Sequence, residues 1–195
     1  MAMVSRRNFL YASFLGAAQI ALPSYAQQFN SHAANESDAI DQMKNAEYPN
    51  LVLVNKGNGN LIVIEDGNRI LTTPVILGTR KTPTPTGLFS LQNLANGPSY
   101  PKMVFHFDDR VAYLIHGVIA GRERAILKDD PRPRQLSAGC INIADPFLEM
   151  VLNYARSKAK ETLLVTPIAI MPEAYSPKHF AKMVSEFKPK IYGTN

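Results

Sequence analysis

The stretch LVLVNKGNGNLIVIEDGNRIL, Leu51 to Leu71, decides how the chain folds. Two runs of mostly branched apolar residues, Leu51-Val52-Leu53-Val54 and Leu61-Ile62-Val63-Ile64, are separated by Lys56-Gly57-Asn58-Gly59-Asn60, and Glu65-Asp66-Gly67-Asn68 follows the second. β-Branched residues favour extended backbone, and Asn-Gly and Asp-Gly pairs supply the positive φ of tight hairpin turns, so the stretch reads as a β-meander. Its third strand is Arg69 to Leu77. The fold class that follows is mainly β, a domain over 50–168 with one or two packed helices.

Toward the C-terminus, Thr82-Pro83-Thr84-Pro85-Thr86-Gly87 is neither helix nor regular strand, because two prolines fix φ and remove donors; it is a rigid extended loop. Leu88 to Leu91 resumes a strand. Met103 to Phe107 and Val111 to Ile115 form a further hairpin, closed by His116-Gly117. Val118 to Leu136 is rich in charge and proline and reads as a lid-like excursion opening on a short helix. Its Arg122, Arg124, Arg132 and Arg134 are candidates for meeting substrate carboxylates, or are simply a solvated face. After Cys140-Ile141-Asn142-Ile143-Ala144, Asp145 can cap and Pro146 can start a helix, with Phe147, Val151 and Tyr154 on one face to about Lys158. Thr162 to Ile168 is the expected last strand, and 169–195 a basic tail with a helix over Lys178 to Phe187.

Toward the N-terminus, residues 1–26 combine Arg6-Arg7, an apolar run from Phe9 to Leu22 and a small-residue site ending at Ala26. That run is shorter than the ~20 residues a bilayer requires, so it is a removable export signal and not a spanning helix. Ser5-Arg6-Arg7-Asn8-Phe9-Leu10 resembles the twin-arginine motif, which implies passage to the periplasm in the folded state. Residues 27–49 are polar, a linker or N-terminal flap with a short helix over Ser37 to Ala46. The chain of 195 residues has a formal charge of +5, and removing the two arginines of the signal leaves +3. This suits work beside an anionic polymer but is too small and dispersed for nucleic-acid binding.

One cysteine, Cys140, is present. An exported chain with a single Cys forms no internal disulfide, so the thiol is either buried as a small hydrophobe or used. It lies in Ser137-Ala138-Gly139-Cys140-Ile141-Asn142, where Gly139 allows a tight turn whose amides could point at one spot beside the sulfur. His116, at a strand end 24 residues earlier, is the candidate base. His106 alternates within Val104-Phe105-His106-Phe107 and reads as a sheet histidine, while His32 and His179 are remote. Four scattered histidines argue against a metal site, and no cofactor is implied.

Gly78-Thr79-Arg80-Lys81-Thr82-Pro83-Thr84-Pro85-Thr86-Gly87-Leu88-Phe89, then Ile115-His116-Gly117, then Ser137-Ala138-Gly139-Cys140-Ile141-Asn142 resemble, in that order, the YkuD-type L,D-transpeptidases of bacterial cell walls. The resemblance implies a mostly β, β-sandwich-like domain with its site under a lid, acting on peptidoglycan stem peptides. It implies Cys140 as nucleophile, His116 as base, the Gly117 carbonyl as orienter of the imidazole, and Ser137 and Gly139 as the frame of the cysteine loop. Ala138 and Asn142 depart from the usual His and Arg of that motif. The resulting Ser-x-Gly-Cys-apolar-Asn pattern is similar to a divergent branch that forms 1,3 rather than 3,3 cross-links. Transpeptidase, L,D-carboxypeptidase and non-catalytic wall-binding module all remain open at this level, as does the oligomeric state.

Overall fold

The computed structural model describes residues 23–93, 102–108, 111–120, 122, 125–126, 134–162 and 166–189. The chain divides into two units, Met1–Asn35 and Glu36–Asn195. Of the first, the described part is the opening of helix α1 (Pro23–Asn45), and residues 1–22 of the expected export signal lie outside the described residues. Among the described residues the second unit holds every strand: β1 (Leu51–Asn55), β2 (Asn60–Glu65), β3 (Asn68–Gly78), β4 (Gly87–Asn93), β5 (Lys102–Asp108), β6 (Val111–Gly117), β7 (Arg134–Ser137), β8 (Ile141–Ile143) and β9 (Thr166–Met171). It also holds α2 (Phe147–Thr162) and α3 (Pro177–Glu186).

The strands form one nine-stranded sheet in the order β2-β1-β9-β4-β5-β6-β8-β3-β7, and β2 pairs with β3 as well. That extra pairing closes the sandwich-like sheet into a barrel-like ring, with β7 outside it. Closure is possible because β3 changes partners partway: Asn60 of β2 stands opposite Pro74, and from Val75 the strand pairs with β8 instead. Pro74 has no N–H to give a ladder, so it is tolerated where one ladder ends and the next begins. Asp66 (φ 51°) and Gly67 (φ 77°) make the β2–β3 turn as the Asp-Gly pair requires.

The period of two sorts alternate residues of β1, β2 and β9 into two cores. Val52, Val54, Leu61, Val63, Ile168 and Ile170 face the first, where α2 adds Leu148, Val151, Leu152 and Ala155. Leu51, Leu53, Ile62, Ile64, Ala169 and Met171 face the second, which Ala39, Ile40 and Met43 of α1 and Phe180 and Val184 of α3 cover. Strands buried on both faces read as continuous apolar runs, which is why Leu51 to Val54 shows no polar alternation. Three helices therefore pack on the sheet, one more than expected.

The short helix expected over Ser37 to Ala46 is the end of α1, which begins at Pro23. Among the described residues no helix is long and apolar enough to cross a membrane. The last strand begins at Thr166 rather than Thr162, because α2 continues to Thr162. α2 starts at Phe147 after a cis Asp145–Pro146 bond, and its first turn is closed by the Leu148 amide on the Ala144 carbonyl at 3.2 Å. Two strands, β7 and β8, occupy segments where no strand was expected. Most of the proposed lid, 121, 123–124 and 127–133, lies outside the described residues.

Glu36 fastens α1 to the meander. It is 4% exposed, accepts from Asn55 Nδ2 at 2.9 Å and Asn58 Nδ2 at 2.8 Å, and pairs with Arg69 at 2.7 Å. Truncation strands the buried Asn55 amide, so Glu36→Ala is expected to lower stability by about 2–3 kcal/mol. Urea unfolding checks this: the midpoint falls while the slope is unchanged.

Candidate active site

The turn carrying Cys140, Ala138-Gly139-Cys140, is held at both ends. β7 before it pairs in parallel with β3, with Ser137 opposite Gly78. β8 after it lies between β3 and β6, with Ile143 opposite Val75 and Asn142 opposite both Ile76 and His116. Inside the turn, Ser137 Oγ accepts from the Gly139 amide at 3.1 Å and donates to the Cys140 carbonyl at 2.5 Å. Gly139 has φ +108°, and a Cβ there would lie 2.6 Å from Tyr113 Cε1, so the position excludes any larger residue on two counts. The Gly139 amide is thus bonded within the turn, which corrects the expectation that it points with the Cys140 amide beside the sulfur.

The Thr-Pro-Thr-Pro-Thr loop braces this turn from behind. The Thr79 amide donates to the Ser137 carbonyl at 3.0 Å, and Thr82 Oγ1 reaches the same oxygen at 3.4 Å. Thr84, 1% exposed, accepts from the Gly78 amide through Oγ1 at 2.8 Å. A Cβ on Gly78 would collide with the Thr82 carbonyl and lie 2.8 Å from Gly139 Cα, so two glycine backbones meet where loop and turn touch.

His116 ends β6 beside Asn142 of the parallel strand β8 and opposite Lys102 of β5. Its Nδ1 is 2.7 Å from the Gly117 carbonyl. A carbonyl only accepts, so Nδ1 carries the proton and neutral His116 keeps Nε2 as its basic nitrogen. His116 and the partly exposed Cys140 line one cavity of about 860 Å³, together with Leu114, Asp145, Leu148 and Glu149. Burial pushes the His116 pKa below its ordinary 6.5; the Gly117 bond opposes this, and the cations Lys102 and Arg122 reinforce it.

The other candidates fall elsewhere. His106 packs against Phe89 (4.8 Å) and Tyr113 (5.6 Å) and lines a separate cavity of about 480 Å³. His179 is exposed in the first turn of α3, and His32 belongs to the N-terminal unit. Arg124, Arg132 and the side chain of Arg134 lie outside the described parts. Among the described residues no three His, Cys, Asp or Glu side chains gather as they would around a metal ion. Sequence reasoning missed the contact between Asn142 and His116, the brace from Thr79, Thr82 and Thr84, and the wall formed by Tyr113. A signal was present only for the brace, in the rigid proline spacing; the others depend on the register of β6 against β8.

This fold opens a Cys and a His on one cavity. The family model for the YkuD L,D-transpeptidase catalytic domain matches residues 49–170, and the chain belongs to that family. No curated protein matches significantly. Among solved structures, the carbamoyl enzyme of Ldtfm with avibactam is 21% identical at a TM-score of 0.46, covering 64% of this chain and 49% of its own. An L,D-transpeptidase from Mycobacterium tuberculosis is 14% identical at 0.44, with 64% and 58% covered. The catalytic domain of the E. faecium L,D-transpeptidase is 19% identical at 0.40, with 64% and 98% covered. The chain therefore spans about half to three-fifths of the first two.

Two outcomes follow from the geometry. Thr84→Val keeps the shape but leaves the Gly78 amide buried without an acceptor, for an expected loss of about 1–3 kcal/mol, read by chemical denaturation. Because the folded His116 pKa lies below its unfolded value of 6.5, the unfolded chain takes up the proton first, and stability falls as pH drops below 6.5 toward the folded value. His116→Gln should flatten that part of the stability curve.

Proposed function

We propose that this protein is an exported L,D-transpeptidase that joins peptidoglycan stem peptides through a thioester on Cys140. The observation that carries the reading is the single cavity lined by Cys140 and His116, with the imidazole held by the Gly117 carbonyl in the tautomer a base requires. His116 Nε2 takes the thiol proton and the thiolate attacks an amide carbonyl on an L-centre of the donor stem. The C–N bond breaks, the proton passes from His116 to the departing amine, and the acyl group remains on sulfur. An amine of a second stem then attacks the thioester and gives its proton to His116; collapse expels the sulfur, which recovers the proton as a thiol. With the Gly139 amide committed to Ser137, the Cys140 amide is the backbone donor left in the turn for the oxyanion. Ala138 and Asn142 support assignment to the 1,3 cross-linking branch, and the paired arginines support twin-arginine export to the periplasm.

The test is mass spectrometry of residues 27–195 incubated with disaccharide-tetrapeptide, beside Cys140→Ala. A dimer that the control lacks supports the reading, and its fragmentation distinguishes 1,3 from 3,3 linkage. Trimmed monomer alone would assign a carboxypeptidase, with water in place of the amine. Since His116 must be neutral to accept the proton, its lowered pKa should place the acid limb of kcat/KM below 6.5. Lys102→Met removes a cation that disfavours the imidazolium, so the limb should move upward; a shift downward or none would contradict this electrostatic account.

A further inference from the structure

Asn142 lies two residues after Cys140 on the strand β8, and its surroundings assign it a definite task. It is fully buried, at 0% exposure, on the strand beside His116. Its Nδ2 lies 2.9 Å from His116 Nε2 and 3.4 Å from Nδ1. An atom in the ring plane on the Nε2 lone pair would be far more distant from Nδ1 than from Nε2. Two nearly equal separations put the amide over the face of the imidazole, as an N–H···π contact, so that the Nε2 lone pair is not taken by Asn142. Oδ1 of the same amide is buried and has no hydrogen-bond partner among the described residues.

Resting on the reading of His116 as the base of Cys140, we propose that Asn142 is the positioning residue for that base: its carboxamide clamps one face of the ring while the Gly117 carbonyl holds the Nδ1 edge. Together the two contacts set the tilt and rotation of the ring in the cavity that Cys140 lines. The unpartnered Oδ1 gives the clamp two orientations. Over neutral imidazole the amide presents N–H to the π face. When Nε2 gains the thiol proton, rotation about the last side-chain bond presents oxygen to the imidazolium, a change that exchanges two atoms of similar size and moves no backbone. The charged or titratable groups around His116 are Lys102 on β5, Arg122 after β6, Cys140 before β8, and Asp145 and Glu149 at the start of α2.

The experiment needs no peptidoglycan, so its failure is separate from failure of the transpeptidase reading. It follows the His116 Cε1–H resonance and the rate of Cys140 alkylation by iodoacetamide across pH 4 to 9, in the wild type, Asn142→Asp and Asn142→Leu. Asp places a carboxylate on the ring face, and the His116 midpoint should rise by about 1 to 3 pH units. Leu keeps the branching at Cγ but is larger and lacks the dipole, and displacement of the base should slow alkylation at pH 7 by about tenfold. In the wild type itself, the Asn142 Nδ2 protons should resonate upfield because they lie over an aromatic face, and they should move as His116 titrates. Folded variants with an unchanged midpoint and unchanged alkylation would overturn the proposal. If the variants do not fold, wild-type amide protons at ordinary shifts that ignore the His116 titration would overturn it as well.

Discussion

Strand β8 has three residues, and it is gripped by β6 on one side and β3 on the other. Ile141 and Ile143 point into the first core, which anchors the strand, and this leaves Asn142 on the opposite face at the level of His116. Because side chains alternate, a slip of one residue in this register would put an isoleucine beside His116 and bury the amide in the core. The 24-position separation of His116 and Cys140 thus matters less than the ladder that joins β6 to β8.

Behind the turn, the same economy of contacts explains a loop of unusual composition. Prolines at 83 and 85 give no amide hydrogens, so the threonines around them are the loop's means of bonding outward. Thr84 faces inward to Gly78 while Thr79 and Thr82 reach the Ser137 carbonyl, and Lys56 Nζ holds the outer side through the Thr84 carbonyl at 2.9 Å. A stiff segment whose own backbone asks for little can serve as a fixed wall. Against it, a turn containing a positive-φ glycine is held by Ser137 at both its amide and its carbonyl.

The meander, the β5–β6 hairpin and α3 were legible in the sequence because each has a period or a turn chemistry that acts over a few neighbouring residues. Cys140, His116 and Gly117 stood out as candidates through their motifs, and all three line one cavity, although Cys140 judged on its own residues was as readily a buried hydrophobe. What was not legible shares one physical property: it depends on partners distant in sequence. β8 is too short to show a period, and β7 follows a charged, proline-rich segment that suggests no strand. The length of α1 escaped because its apolar residues, Ala39, Ile40 and Met43, are few and become informative only once the second core they cover is known. The bond from the Gly139 amide to Ser137 was likewise hidden, since Gly139 could equally have turned its N–H toward the cavity.

The neutral amide at position 142 can be understood from the same surroundings. Position 142 is fully buried, and a guanidinium there would require a carboxylate within reach to offset its desolvation. His116 already feels Lys102 and Arg122, both of which oppose its protonation. A third positive charge, in contact with the ring, would depress the imidazolium further. A neutral amide fills the space without adding to that field. It carries a donor and an acceptor at the end of one rotatable bond, so it can contact the ring in either protonation state. A neutral amide at 142 therefore fits a site in which the positive charge beside His116 comes from β5 and the segment after β6.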